Sequence, residues 1–455
     1  MAEQFKEQGG AATMDPSRWR RWVTSKFVSR VIKPEQLEKI EVEAEQQRRK
    51  EGNPHTLEYF HQVDDAYSCL AAQTLAPLLA RYPDVKLVPH LVGAPRGANL
   101  PEPDLLPSLA RYDSGLIAPH YGLNFPARAD APGDALCVLG NRILASAQSD
   151  QFAEVAVAVS AAIAATDQAQ MEALAQQYGS VSEEQALAAV HAGTAKRKEL
   201  KHYSGAMFYY GGKWYWGVDR LYHLEQRWRA LGLGSGDDLV FPRPAIDAGS
   251  YQANGSLTLE MYASLRSPYT AVIFDKAVNL AERTGVRFDL RPVLPMVMRG
   301  VSATREKGLY IFADTAREAR ALGMELGPFY DPIGEPVRRC YSLYSWARSQ
   351  GREIALFSEF LQAAFFKGVN TNRDAGLRTV VEAAGLSWSD AQGVIDNEDW
   401  HSEIESNRQS MYQFGSWGVP TFRLLDAKGS TLMWAWGQDR LWLVAKMIQR
   451  TLVQA

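Results

Sequence analysis

Cysteine is scarce. The 455 residues hold three, Cys69, Cys137 and Cys340, with no C-x-x-C pair and no Cys/His cluster at metal-ligand spacing. That excludes a disulfide-stapled scaffold, a zinc ribbon and thiol exchange by a dithiol of the chain's own. An excess of charge of one sign is also missing: 49 Lys and Arg stand against 52 Asp and Glu, a net charge of −3. No global field draws such a chain to nucleic acid. No run of about 18 apolar residues occurs, so no membrane span is expected. The N-terminal stretch MAEQFKEQGGAATMDPSRWRRW has no apolar segment of the kind an export signal needs, and the expected compartment is the reducing cytoplasm. The eight histidines show no paired ligand spacing, so no metal site is expected. Without G-x-G-x-x-G, a P-loop or G-x-S-x-G, nucleotide binding and triad hydrolysis have no support.

Apolar residues at 46% and charged residues at 22% describe an ordinary globular chain, long enough for two or three domains of about 100 to 200 residues. Residues 1–16 read as a polar tail. Ser17–Ile32 then places Trp19, Trp22, Val23, Phe27 and Val31 on one helical face, with Arg18, Arg20, Arg21, Lys26 and Arg30 largely elsewhere. Such a basic amphipathic helix is expected to pack its aromatic face on a domain, or on a second subunit in a homodimer, rather than on a membrane. A second helix begins at Pro34, and residues 1–55 form an N-terminal segment.

The chain matches itself twice. TLEYFHQVDDAYSCLAAQTLAPLLARYPDVKLVPHLV (56–92) aligns without a gap on TLEMYASLRSPYTAVIFDKAVNLAERTGVRFDLRPVL (258–294). Each reads as a β-α-β unit, with Leu57–His61 and Leu259–Ala263 as first strands and Val85–His90 and Val286–Pro292 as their parallel partners. Further on, Tyr203–Leu221 and Trp417–Leu441 each offer two strands joined at glycine, then W-G-x-D-R-L and a final helix. Helical stretches, among them Phe152–Tyr178, Ser182–Leu200, Ile354–Lys367 and Ala375–Ala384, fill the interval in each copy. The order β-α-β, helices, β-β-α is therefore written twice, in domains 56–231 and 257–455 joined by a Gly/Pro/Ser-rich linker, 232–256.

This order describes an α/β chain of two tandem thioredoxin-like folds, each with an inserted helical domain. With S-P-Y at Ser267–Tyr269, RPVLPMV at Arg291–Val297, G-V-P-T-F at Gly418–Phe422 and W-G-Q-D-R-L at Trp436–Leu441, residues 257–453 resemble the DsbA-like thioredoxin superfamily. Within it they are most similar to the branch of 2-hydroxychromene-2-carboxylate isomerases and kappa-class glutathione transferases. The resemblance implies glutathione as the cosubstrate, acting on a small-molecule substrate. Ser267 precedes Pro268 at the start of a helix, where the dipole and unpaired amides favour negative charge. In dithiol relatives this place holds the attacking cysteine; a serine hydroxyl instead donates to an incoming thiolate and depresses its pKa, which makes Ser267 the candidate catalytic residue.

The resemblance also implies a cis bond before Pro420 that turns the backbone of Val419 to the cleft, where it pairs with an extended tripeptide. Gln438 and Asp439 are implied to hold the amino-acid end of the γ-glutamyl group at the opening of the last helix. Arg440 joins them as a candidate, although Asp-Arg at a helix start is also an ordinary capping pattern. The chain departs from the branch at Thr304, where an asparagine is usual, and at Met296 and Val297 in place of Gly-Gly. Arg299, Arg305 and Lys307 in this loop read as solvated charges, or as a grip for a substrate carboxylate.

In the first copy Asp65 stands for the serine and Ala206 for the proline, so a poor thiolate site is expected. Cys69 lies on the wrong turn of its helix to attack and reads as a buried small residue. Two functions remain open: a glutathione-dependent isomerase or transferase, and a non-catalytic interaction protein built on two such domains.

Overall fold

The computed structural model describes residues 15–126, 130–301 and 303–454, so the polar tail lies outside the described residues up to position 14. The chain divides into two compact units, Glu38–Pro244 and Ala245–Ala455, the latter including the N-terminal residues up to Leu37. The N-terminal segment expected as one piece is split between them. Helix α1 (Arg18–Val31) bonds to residues 329–333 through Arg21, Ser25 and Ser29. In α2 (Pro34–Glu51), Glu41 pairs with Lys213 and Arg227.

The Glu38–Pro244 unit opens with β1 (His55–His61), α3 (Ala66–Arg81) and β2 (Val85–Leu91). Helices α4 (Leu106–Ile117), α5 (Asp134–Ser146), α6 (Phe152–Ala164), α7 (Gln168–Tyr178) and α8 (Glu183–Glu199) follow, then β3 (Met207–Tyr210), β4 (Lys213–Trp216) and α9 (Leu221–Ala230). The helix expected over Phe152–Tyr178 breaks where Thr166 takes a φ of 52° and Asp167 caps the next segment. Four strands pair in the order β2-β1-β3-β4, with β1 and β2 parallel and the other pairs antiparallel. The buried Glu225 carboxylate accepts hydrogen bonds from the Tyr82 hydroxyl at 3.0 Å and from the N–H groups of Val240 and Phe241 at 2.8 Å. It thereby fastens the segment that leaves α9.

The Ala245–Ala455 unit repeats the sequence of elements. It runs β5 (Thr258–Ala263), α10 (Pro268–Thr284) and β6 (Arg287–Pro292), then α11 (Arg305–Ala321) and a series of helices through Trp400–Gln413. It closes with β7 (Thr421–Leu425), β8 (Thr431–Trp436) and α12 (Leu441–Gln454). The strand order, β6-β5-β7-β8, has the same parallel and antiparallel pattern as the first sheet. Every residue of the central strand β5 is buried, which places Glu260 in the interior. Its carboxylate is compensated by Arg423 at 2.5 Å and Arg291 at 2.9 Å, as a buried charge requires. The end of β6 is held from the helical side, where Asn407 donates to the Pro292 carbonyl at 2.9 Å and Tyr341 to that of Val293 at 2.8 Å.

Among the described residues no helix is long and apolar enough to cross a membrane. In the first unit, α8 lies so close to β2 that a Cβ on Gly193 would stand 2.0 Å from the Leu91 carbonyl oxygen. Gly193→Ala is expected to destabilise this unit by about 2 kcal/mol or more, since backbone must move to admit the methyl. Urea denaturation followed by circular dichroism checks this, and an unchanged midpoint would contradict it.

Candidate functional site

The candidate site forms where β5 gives way to α10. Ser267 sits half-buried at the N-cap in an extended conformation, with Pro268 as the first helical residue. Its Oγ accepts the Thr270 N–H at 3.1 Å and donates to the Val419 carbonyl at 3.4 Å. The Val419–Pro420 bond is cis. The Val419 side chain packs on Tyr262, Val293 and Met411. The Pro420 carbonyl accepts the Gly437 N–H at 2.9 Å, which ties this loop to the corner that carries Gln438 and Asp439. Helix α10 packs on the same corner. The structure therefore gathers Ser267, Val419, Pro420, Gln438 and Asp439 along two chain crossings.

The corner itself differs from the expected opening of a helix. Gln438–Arg440 form a 3-10 turn, and α12 begins only at Leu441. Gln438 is buried; its amide donates to Glu318 at 2.8 Å, while its Oε1 is buried without a hydrogen-bond partner. Asp439 keeps 22% of its side chain exposed. Arg440 turns inward and is buried, with its guanidinium 3.5 Å from the Asp439 carboxylate and 3.2 Å from the Asp439 carbonyl oxygen. That position supports Asp439 from beneath.

Two cations read as solvated loop charges are buried instead. Arg299 has no exposed surface and donates to the Trp417 carbonyl and the Tyr412 hydroxyl, each at 3.0 Å. Lys307 follows the helix cap Thr304 by three residues, and its amine lies 5.6 Å from the centre of the Trp417 ring. Burial pushes its pKa down to about 8. Arg305 is exposed, as expected of a loop charge. Arg299 and Lys307 thus bring positive charge to Trp417, two residues before Val419. Tyr269, the third residue of S-P-Y, donates to the buried Asp314 at 2.8 Å.

These groups can stabilise an anion at the tip of α10 and hold a polar chain beside it. A hydroxyl at a helix N-terminus suits a thiolate, while the orphaned Gln438 Oε1 and the partly exposed Asp439 carboxylate suit an ammonium. The donor set fits glutathione. The chain's own thiols are unsuited to the task. Burial pushes Cys69 up to about 12 and Cys137 up to about 11, and Cys340 is buried as well. Among the described residues no group of three or more His, Cys, Asp or Glu side chains is placed to hold a metal ion.

A family model bears on the same half of the chain. Residues 258–449 match the model of the DSBA-like thioredoxin domain. No curated protein matches. Among solved structures, the chain is similar to a probable DsbA oxidoreductase from Streptomyces coelicolor, at 20% identity over 44% of this chain and 89% of that one, with a TM-score of 0.34. It is similar to a 2-hydroxychromene-2-carboxylate isomerase at 17% identity over 43% of this chain and 97% of that one, with a TM-score of 0.37. A third is the cytosolic disulfide reductase DsbM from Pseudomonas aeruginosa, in a structure with GSH, at 18% identity over 43% and 98%, with a TM-score of 0.33.

The matching place in the other unit is wired differently. Asp65 caps α3, accepting the Ser68 N–H at 2.9 Å and the Ser68 hydroxyl at 2.7 Å. The Ser68 oxygen in turn accepts the N–H groups of Gln62 and Ala206. Burial pushes Asp65 up to about 6 from its ordinary 3.8, against the pull of the Ser68 hydroxyl. A carboxyl raised in the folded state stabilises most fully below its unfolded pKa, and that contribution is lost as pH rises through about 6. Asp65→Asn keeps a capping oxygen and removes the titration. At pH 7 the variant is expected to be more stable than the parent by about 1–2 kcal/mol, with the gap closing toward pH 4. Urea midpoints across that range test this; parallel curves would refute it.

Proposed function

We propose that the C-terminal unit binds glutathione and uses its thiolate in an isomerase-like or transferase-like reaction, in the manner of the 2-hydroxychromene-2-carboxylate isomerase and kappa-class transferase branch. The observation that carries the reading is the Ser267 hydroxyl, held at a helix N-terminus within 3.4 Å of the Val419 carbonyl. Rotated from that long hydrogen bond, the hydroxyl proton is available to a sulfur anion, and the amides at the start of α10 add to the same field. Glutathione supplies the nucleophilic sulfur, which adds reversibly to a conjugated double bond in an isomerisation or stays on the electrophile in a transfer.

The chain's residues bind, orient and exclude water. Val419 offers its backbone to an extended peptide, as a strand edge would. Asp439 and the Gln438 Oε1 receive the amino end, and the buried Glu318 and Arg440 hold those two side chains in place. Lys307 and Arg299 give the Trp417 side of the pocket a positive potential that suits an anionic substrate.

The equal order of elements in the two units supports descent from one duplicated thioredoxin-like domain. In this reading the Glu38–Pro244 unit is a degenerate partner domain: the Asp65 carboxylate occupies the position of the thiolate-stabilising hydroxyl, and the Ser68 oxygen already satisfies Ala206. A non-catalytic binding platform is the second reading, favoured by that internal closure.

Calorimetric titration of the full chain with glutathione separates the two. Micromolar to low-millimolar binding, weakened about tenfold or more in Ser267→Ala and in Asp439→Ala, is expected. Thiolate absorbance of the bound peptide should show a lowered thiol pKa that rises again in Ser267→Ala. An intact chain that does not bind glutathione leaves the platform reading standing alone.

A further inference from the structure

Helix α1 is inside out. Its buried residues are Arg21, Ser25 and Val28, while Trp19 is 71% exposed, Trp22 58%, Phe27 42% and Val23 37%. A helix on a protein surface normally turns its aromatic stripe inward. Here the aromatic face, expected to pack on a domain, is overruled by hydrogen bonds on the opposite face. The Arg21 guanidinium donates to the Asp331 and Ile333 carbonyls, Ser25 Oγ accepts the Asp331 N–H at 3.0 Å, and Ser29 Oγ accepts the Phe329 N–H at 2.9 Å. These contacts satisfy backbone groups of a buried loop and fix the rotation of the helix.

The face left outward has a definite chemistry. At 100° per residue Trp19, Trp22, Val23 and Phe27 lie on one side, and Lys26 and Arg30, expected largely elsewhere on the helix, fall within that same side. Arg18, Arg20 and Lys33 are exposed beside them, and no acidic residue occurs between Asp15 and Glu35. Arg305 adds a further exposed cation 5.8 Å from the Phe27 ring centre. This local charge stands in a chain whose net charge is −3.

We propose that this face is a docking surface for an anionic lipid bilayer, with α1 lying in the plane of the headgroups. The indoles and Phe27 enter the headgroup and acyl boundary, and the lysine and arginine stems run back to the phosphates. Charge decides against the second copy of the chain as occupant. Pairing this face with its own twin would set Lys26 and Arg30 against like charges, with no carboxylate on the face to separate them. Two indoles and a phenyl ring set among exposed lysines and arginines on one helical face are the composition of an interfacial helix, which favours a bilayer over a folded acidic protein. The proposal is independent of glutathione binding.

Cosedimentation of the full chain with vesicles tests it, using phosphatidylcholine alone or with about 30% phosphatidylglycerol. Partition onto the anionic vesicles is expected to exceed that onto neutral ones by about tenfold or more, and to fall in about 0.5 M salt. Trp19→Ser/Trp22→Ser and Lys26→Glu/Arg30→Glu should each reduce it about tenfold or more. Both double variants change exposed residues only, and thermal melts matching the parent confirm that they fold. Equal partition onto the two vesicle types, no partition, or partition indifferent to both variants would overturn the proposal. So would a dimer in sedimentation velocity that Trp19→Ser/Trp22→Ser dissociates, which would identify the face as a self-association surface.

Discussion

One hydroxyl organises the candidate site. Ser267 Oγ closes the first turn of α10 by accepting the Thr270 N–H, and through its own proton it reaches the carbonyl of Val419. A helix start needs the first bond, because its leading amides have no partner within the helix. The second joins that start to a loop 152 residues away in sequence. From there the Gly437-to-Pro420 bond carries the linkage to Gln438 and Asp439. The site is a property of a strand end, a helix end and two loop crossings, each held by backbone groups. Its side chains are free to differ while its geometry persists.

The other unit shows that independence. The Gly217 N–H bonds to the Ala206 carbonyl at 2.8 Å just as Gly437 bonds to Pro420 at 2.9 Å, and α3 begins with a capped turn just as α10 does. The chemistry is nevertheless inverted. A carboxylate caps α3, the neighbouring serine donates to it, and the same serine oxygen takes up the Ala206 amide, an N–H that Pro420 does not have. Ala206 adopts a φ of 53°, outside the extended backbone that pairs with a strand. The capped turn and the loop bond recur, and the polar groups beside them are bonded to one another.

What was legible in the sequence follows from what is local. Alternating runs such as Leu57–His61, observed as His55–His61, and turns such as Gly211-Gly212, with both φ values positive, carry their structure in neighbouring residues. Repetition of the pattern made the order of elements along the chain readable twice, while the order of the strands in each sheet comes from the structure. S-P-Y and G-V-P-T-F pointed to Ser267 and Pro420 through the family resemblance that these motifs carry. The polarity of α1 was not legible: a helical pattern says which residues share a face, and the choice of face was made by backbone groups of residues 329–333 in need of partners. Lys307 and Arg299 were misplaced in solvent for a related reason. Each lies against Trp417, more than a hundred positions further on, and no local signal marks a lysine that the fold will cover. Gln438 likewise owes its orientation to Glu318, 120 residues earlier.

Asp331 joins the two features that local sequence reading handled least well. Its carboxylate grips Arg266 at 2.8 and 3.2 Å, its N–H is taken by Ser25, and its carbonyl accepts Arg21. Arg266 immediately precedes Ser267, so the loop that receives the N-terminal helix also fixes the residue leading into the cap. The acid is nearly enclosed, with 5% of its side chain exposed, and a carboxylate in that setting persists only while its partners stay in place. The outward face of α1 and the entry to α10 therefore depend on the same buried ion pair. Removing the helix would take these partners from the backbone of Phe329, Asp331 and Ile333, which makes α1 a structural member of the C-terminal unit rather than an appendage to it.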